Sequence, residues 1–200
     1  PRVFGRQRRE IIVLDDASTD DSLEIIERYG RNRSNYRVVR SEQNGGSVFA
    51  AWAKGIALAQ GDIIWLAEAD DFADSEVLAR TLAAFDRPGM RMAYGRSVPV
   101  DVSGAVIGDW RSIYLDEINP GKWGRSHTTT AKDEVDSGLG VANTIPNASA
   151  VLVLRETAQR AIRVTEAFRL MGDWAFYLYA IHGGHVAYVC DAVNFHRRHA

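Results

Sequence analysis

The chain has 200 residues, enough for one domain that buries its own core without covalent staples, and 46% of them are hydrophobic against 25% charged. A formal net charge of −2 gives no electrostatic footing for nucleic acid, and a single cysteine, Cys190, excludes a disulfide framework or a cysteine metal site. No apolar run reaches the length of a membrane span and no stretch reads as a signal peptide, so a cytoplasmic location is expected.

Residues 1–9 carry four arginines and little periodicity, and read as a surface arm or the remnant of an upstream helix. Residues 10–14 (EIIVL) form a buried strand that runs into Asp15 and Asp16. A helix follows over 22–29, with Leu23, Ile26 and Tyr29 on one face. Thr19, Asp20 and Asp21 sit where N-caps belong, whereas Asp15 and Asp16 lie on the strand's end as candidate ligands. A strand over 36–40 leads to the turn 41–46 and a helix over 47–60, with Val48, Trp52, Ile56 and Ala59 inward. Lys54 falls on another face, either as a surface lysine or as a phosphate contact.

After Gly61 comes a short apolar run, 63–67, that ends in Glu68, Asp70 and Asp71. Such a run reads as a buried strand, and in open α/β sheets ligands bind at the carboxyl ends of strands. Three crowded carboxylates repel one another, so a divalent cation with oxygen ligands, Mg²⁺ or Mn²⁺, is expected among them. The alternative is a solvated acidic turn that caps the next helix (75–85) through Asp74 or Ser75. The strand–helix alternation predicts a parallel sheet wrapped by helices. Two strand ends carry acids and there is no Gly-rich phosphate loop. A nucleotide here would be held by acids on its base and ribose and by metal on its diphosphate.

Residues 91–102 read as one or two strands, with a hairpin-like turn at 103–104. Residues 110–145 are long, polar and Gly-rich, and read as a functional or disordered loop, with His127 a loop residue without a partner. A strand over 150–154, helices over 156–167 and 172–182 and a strand over 185–190 complete the pattern. Asp173 is either a first-turn helix acid or a general base projecting into a cleft. His196 and His199 are either an exposed tail or ligands for a metal or a phosphate.

Together, EIIVLDDASTD (10–20), the Asn44-Gly45-Gly46 turn, ALAQGD (57–62), Glu68-Ala-Asp-Asp71, Gly172-Asp173 and His196-Arg-Arg-His199 resemble a family 2 glycosyltransferase of the GT-A fold. They occur in the family's order and spacing across nearly the whole chain. The chain most resembles bacterial members that act on cell-surface polysaccharides, often as modules of longer proteins. The resemblance implies an α/β domain with a mostly parallel sheet flanked by helices. Residues 1–105 would form a Rossmann-like half that binds the nucleotide sugar, and 106–200 an acceptor half.

It further implies inverting, metal-assisted transfer from a nucleotide-diphosphate sugar to a hydroxyl of a glycan or lipid-linked acceptor. Asp16, with Asp15 beside it, would bind the base of the donor, and Lys54 its phosphates. Glu68-Ala69-Asp70 would be the DxD-type motif, with Asp70 and Asp71 holding Mn²⁺ or Mg²⁺ and the ribose side. His196, or His199, would complete the metal site. Asp173 would be the general base, and Asn147 and Trp174 would face the acceptor. A lipid-linked acceptor implies peripheral contact with the inner face of the cell membrane. Two departures stand out. The family's first apolar strand is absent from residues 1–9, which implies a fragment of a longer chain. The helix after Asn44 offers Trp52 and Lys54 where many relatives place an arginine. A nucleotidyltransferase and a non-catalytic glycan-binding module are the competing expectations.

Overall fold

The structure is a computed structural model and describes residues 9–199. The expected missing first strand falls on residues 1–9, which lie almost wholly outside the described residues. Strand β1 (Ile11–Asp15), helix α1 (Ser22–Gly30) and strand β2 (Tyr36–Arg40) form a β–α–β unit. β1 and β2 pair in parallel, from Ile11 opposite Tyr36 to Asp15 opposite Arg40. Then come α2 (Val48–Leu58), β3 (Ile63–Trp65), β4 (Phe72–Ala73), α3 (Val77–Leu82) and β5 (Met90–Val100). The second half holds α4 (Asp116–Ile118), β6 (His127–Thr130), α5 (Ala131–Glu134), β7 (Val151–Leu154), α6 (Arg155–Thr165), α7 (Gly172–Ile181) and β8 (His185–Arg197).

A six-stranded sheet runs in the order β3-β7-β5-β8-β4, with β6 also paired to β8. β5 and β8 are parallel; the pairs β3–β7, β5–β7, β4–β8 and β6–β8 are antiparallel. The sheet is therefore mixed, and helices cover both faces. Side chains alternate across it, as the two-residue strand period requires. Met92, Tyr94, Val151, Val153, Val186 and Tyr188 meet α2, α6 and α7 on one face. Ala93, Leu152, Leu154 and Ala187 meet Phe85, Leu78 and Leu82 on the other. Among the described residues no helix is long and apolar enough to cross a membrane.

Three expectations need correction. First, the strands before the two acidic turns are not the buried centre. β1 is exposed at Ile11 and only partly covered over Ile12–Leu14, and β3 is three residues long with an exposed Trp65. The centre is β5, β7 and β8, because these are buried on both faces. Second, residues 110–145 are folded rather than a loose loop. Leu115, Trp123 and Leu139 insert into the main core and fix the short helical turns between them. Third, β8 extends to Arg197, so the closing residues are strand and not tail.

The long β5–β8 ladder shifts register twice, between Met90 and Met92 and again after Gly95. Gly95 pairs with Val189 but Arg96 pairs with Val193, so residues 190–192 bulge out. The bulge brings the carbonyl oxygen of Ala192 to within 2.3 Å of where a Cβ on Gly95 would stand. Gly95→Ala should therefore force the two main chains apart and cost about 1–3 kcal/mol. A denaturant titration in which Gly95→Ala matches the parent's midpoint would contradict this.

Candidate active site

The acids of residues 68–71 lie in the connection between β3 and β4, where a single serine organises them. Ser149 precedes β7. Its hydroxyl donates to Asp71 Oδ2 at 2.6 Å and accepts from the Glu68 N–H at 2.9 Å. Its carbonyl accepts from Trp65 Nε1 at 2.7 Å. The Arg197 N–H, at the end of β8, donates to Asp71 Oδ1 at 2.9 Å. The Arg197 guanidinium also bonds the carbonyls of Asp70, Asp101 and Val102. Both oxygens of Asp71 are thus held by the fold, each by one hydrogen bond.

Asp70 is the freer acid, and His199 Nε2 lies 2.7 Å from its Oδ2. His196, expected beside the metal, instead sets its ring 5.8 Å from Trp110, with Nδ1 buried and without a partner. Burial pushes the His196 imidazole below its usual range, against the pull of the Asp71 charge. Strand alternation explains the exchange: His196 lies within β8, and His199 lies beyond the strand's end where the chain turns over Asp70.

Glu68 accepts from Trp52 Nε1 at 3.2 Å. Burial raises its carboxyl pKa, the Trp52 bond opposes the rise, and the charges of Asp70, Asp71 and Asp173 add to it. Glu68 thus lies in the electrostatic reach of both the acidic turn and α7. Asp173, in the first turn of α7, accepts from Asn143 Nδ2 through Oδ2 at 2.8 Å. Met171, just before it, takes a left-handed φ of 56° that aims the helix start. The structure therefore brings Glu68, Asp70, Asp71, Asp173 and His199 to one end of the sheet.

Other expected residues are engaged elsewhere. Asp15 is 3% exposed, accepts from the Ser18 N–H at 3.3 Å and lies 3.4 Å from Arg40 Nε. It closes the β1 turn, and its Oδ2 is buried without a hydrogen-bond partner. Asp16 is more open and accepts from the Gly45 N–H at 2.8 Å, which ties the two Gly- and Asp-rich turns together. Lys54 Nζ is 3.3 Å from the Ser41 hydroxyl. Asn147 is 5% exposed, and both ends of its amide are spent on Asn194 and on the Ser149 N–H. It supports Ser149 from behind and does not face a cleft. Trp174 Nε1 donates to the Leu139 carbonyl at 2.7 Å. His127 lies in β6 against Tyr188, not in a loop. Sequence reasoning missed Ser149, Asn143, Tyr114 and the closing role of Arg197.

Among the described residues no group of three or more His, Cys, Asp or Glu side chains is placed to hold a metal ion. Asp70 and His199 offer one carboxylate and one imidazole. The Asp70 carboxylate suits a Mg²⁺ or Mn²⁺ ion, which commonly binds through one or two protein carboxylates and takes the rest from substrate phosphates, whereas an imidazole is a ligand more usual for softer ions.

An α/β sheet with acids gathered at one end of its strands is the architecture of a GT-A glycosyltransferase. The sequence profile of glycosyl transferase family 2 matches residues 4–133, well over half of the chain, and the chain belongs to that family. It is similar to the poly(ribitol-phosphate) beta-N-acetylglucosaminyltransferase TarS of Staphylococcus aureus, 31% identical over 103 residues, which cover 48% of this chain and 18% of that protein. It is also similar to a poly(ribitol-phosphate) beta-glucosyltransferase of Bacillus spizizenii, 38% identical over 79 residues, covering 40% of this chain and 12% of that one. The crystal structure of S. aureus TarS 1-349 superposes with a TM-score of 0.70 at 18% identity, over 94% of this chain and 51% of that chain. Its complex with UDP-GlcNAc gives 0.65 at 17% identity, over 96% and 50%. The chain thus spans about half of the TarS fragment and 31% of the longer TarS chain.

Proposed function

We propose that this domain moves a sugar from a nucleoside diphosphate sugar to a hydroxyl of a glycan or lipid-linked acceptor, with inversion at the anomeric carbon. The observation that carries the reading is the meeting of Glu68, Asp70 and His199 with Asp173 at one end of the sheet, in a chain of this family. The TarS complex with UDP-GlcNAc favours a uridine nucleotide as donor. The names of the relatives favour a cell-wall polymer as acceptor.

In this reading Asp16 faces the base of the nucleotide, and Glu68 and Asp70 face its ribose and diphosphate. Asp70 and His199 would hold a Mn²⁺ or Mg²⁺ ion, which when bound neutralises charge on the diphosphate. Asp173 takes the proton of the acceptor hydroxyl. The freed oxygen attacks the anomeric carbon from the face opposite the diphosphate, and the nucleoside diphosphate leaves with the bonding pair. An acceptor on a lipid carrier would bring the domain to the inner face of the membrane.

The test is calorimetric titration with UDP and GDP, each with and without Mn²⁺. Metal-dependent binding of one nucleotide is expected, and Asp70→Ala or His199→Ala should weaken it about 10–100-fold. If neither nucleotide binds under any condition while a glycan still does, the catalytic reading fails and the glycan-binding module takes its place.

A further inference from the structure

We infer that Asn143 is a positioning residue for Asp173, and that its bond leaves Oδ1 as the atom that takes the acceptor's proton. The inference rests on the reading of Asp173 as general base. Asn143 belongs to the folded segment between β5 and β7, far in sequence from the acids. Its side-chain orientation is fixed by chemistry. Asn143 Oδ1 accepts from the Ile145 N–H at 3.3 Å, and a backbone N–H can only donate. The NH₂ end must therefore face Asp173, where it donates to Oδ2 at 2.8 Å.

The main chain of Asn143 is fixed as well. The Tyr114 hydroxyl donates to its carbonyl at 2.6 Å. Burial, with a contribution from the Asp173 charge, pushes the Tyr114 hydroxyl up to about 12, so it remains a neutral donor throughout the physiological range. Thr144 and Ile145, the next two residues, are fully buried. On the other side, the bond from Trp174 to the Leu139 carbonyl fastens the residue after Asp173 to the same segment. One oxygen of Asp173 is thus clamped by a neutral donor anchored at three points. Among the described residues nothing donates to its other oxygen.

This arrangement stops rotation of the carboxylate, so that Oδ1 meets the acceptor hydroxyl in one orientation, and orientation is worth orders of magnitude in rate. The titratable groups that face Asp173 are Glu68 from the acidic turn, Tyr114 from the segment and Tyr177 from its own helix. None of them supplies a positive charge that would replace the Asn143 bond.

The experiment compares Asn143→Ala, Asn143→Asp and Tyr114→Phe with the parent protein and with Asp173→Asn. Nucleotide affinity is read by calorimetry, and kcat and KM by release of the nucleoside diphosphate. Asn143→Ala should lower kcat on the order of 10–100-fold and leave nucleotide affinity and the KM for the donor unchanged. Asn143→Asp keeps the shape but turns a carboxylate toward Asp173, and should be worse. Tyr114→Phe removes only the main-chain anchor and gives a smaller loss, which keeps the test open if the Asn143 variants do not fold. Parent-like kcat in Asn143→Ala, a loss of nucleotide affinity that matches its loss of kcat, or parent-like kcat in Tyr114→Phe when the Asn143 variants are unfolded, overturns the inference. If Asp173→Asn itself retains transfer, the base reading has failed, a different result from loss in Asp173→Asn with no loss in Asn143→Ala.

Discussion

Asp173→Asn should lower kcat about 10³-fold, the largest effect of any single change in this domain, and leave the affinity for the nucleotide unaltered. Asparagine has the shape of aspartate and its oxygen can still accept from Asn143, so the start of α7 keeps its geometry. What is lost, in the proposed mechanism, is the atom that takes a proton. Because the proton moves only in the transition state, kcat and kcat/KM should fall together while donor binding stands. Nucleotide release from a nucleotide sugar and acceptor, set beside a calorimetric titration of the nucleotide alone, separates these quantities. A residual rate within tenfold of the parent would remove Asp173 from the chemistry. A parallel loss of nucleotide affinity would make it a donor-site residue instead.

Lys122→Met should have the largest effect on stability. Glu134 is fully buried, with Lys122 Nζ 2.8 Å from its Oε2 and the Tyr94 hydroxyl 3.2 Å from its Oε1. Lys122 also bonds the Ser137 hydroxyl at 2.8 Å, and Trp123 Nε1 donates to the Tyr94 oxygen at 3.1 Å. Without the ammonium, a carboxylate is left uncompensated in the interior, and such broken pairs typically cost about 3–5 kcal/mol. For a chain of this size that is a fall in Tm on the order of 10 °C. The pair is not expected to be stabilising against an uncharged alternative. Lys122→Met combined with Glu134→Gln, which still accepts from Tyr94, should recover most of the loss. If the single variant melts with the parent, or the double variant melts no higher than the single, the argument from a buried charge is wrong.

The sequence reading located local structure well and global position poorly. Residues 36–40 were legible as a strand because their apolar pattern is local, and the structure has β2 over those same residues. The apolar run before Glu68 was legible as a strand too, but its place in the sheet was not. Periodicity reports that a face is apolar and does not report how many neighbours cover it. Residues 110–145 hid their fold for a different reason. Their anchors, Leu115, Trp123 and Leu139, are isolated in a polar stretch, and a buried lysine and glutamate look like surface residues until they are seen to pair.

The candidate site divides in the same way. Acids at a strand end and Asp173 at a helix start carry their own local signal. Ser149 lies 78 residues from Asp71, Asn143 lies 30 from Asp173 and the Arg197 N–H lies 126 from Asp71. Nothing in the neighbourhood of those residues announces such partners. His199 was legible only as one of two histidines, because the choice between them depends on where β8 ends.

The bond from Arg197 to Asp71 also bears on how the domain comes to be made. Contacts between residues so distant in sequence form late, since a long loop must close before they are rewarded. Synthesis proceeds from the N-terminus, so a nascent chain that has emerged as far as Ile181 already carries Glu68, Asp70, Asp71 and Asp173. It has none of β8, which pairs with β5 along nearly its whole length and, with the residues just after it, supplies the partner of Asp71 Oδ1 and of the Asp70 carboxylate. Until that strand docks, the acidic turn is a run of like charges with no partner from the end of the chain. Docking of β8 completes the sheet and brings His199 to Asp70 and Arg197 to Asp71, which Ser149 alone would otherwise hold.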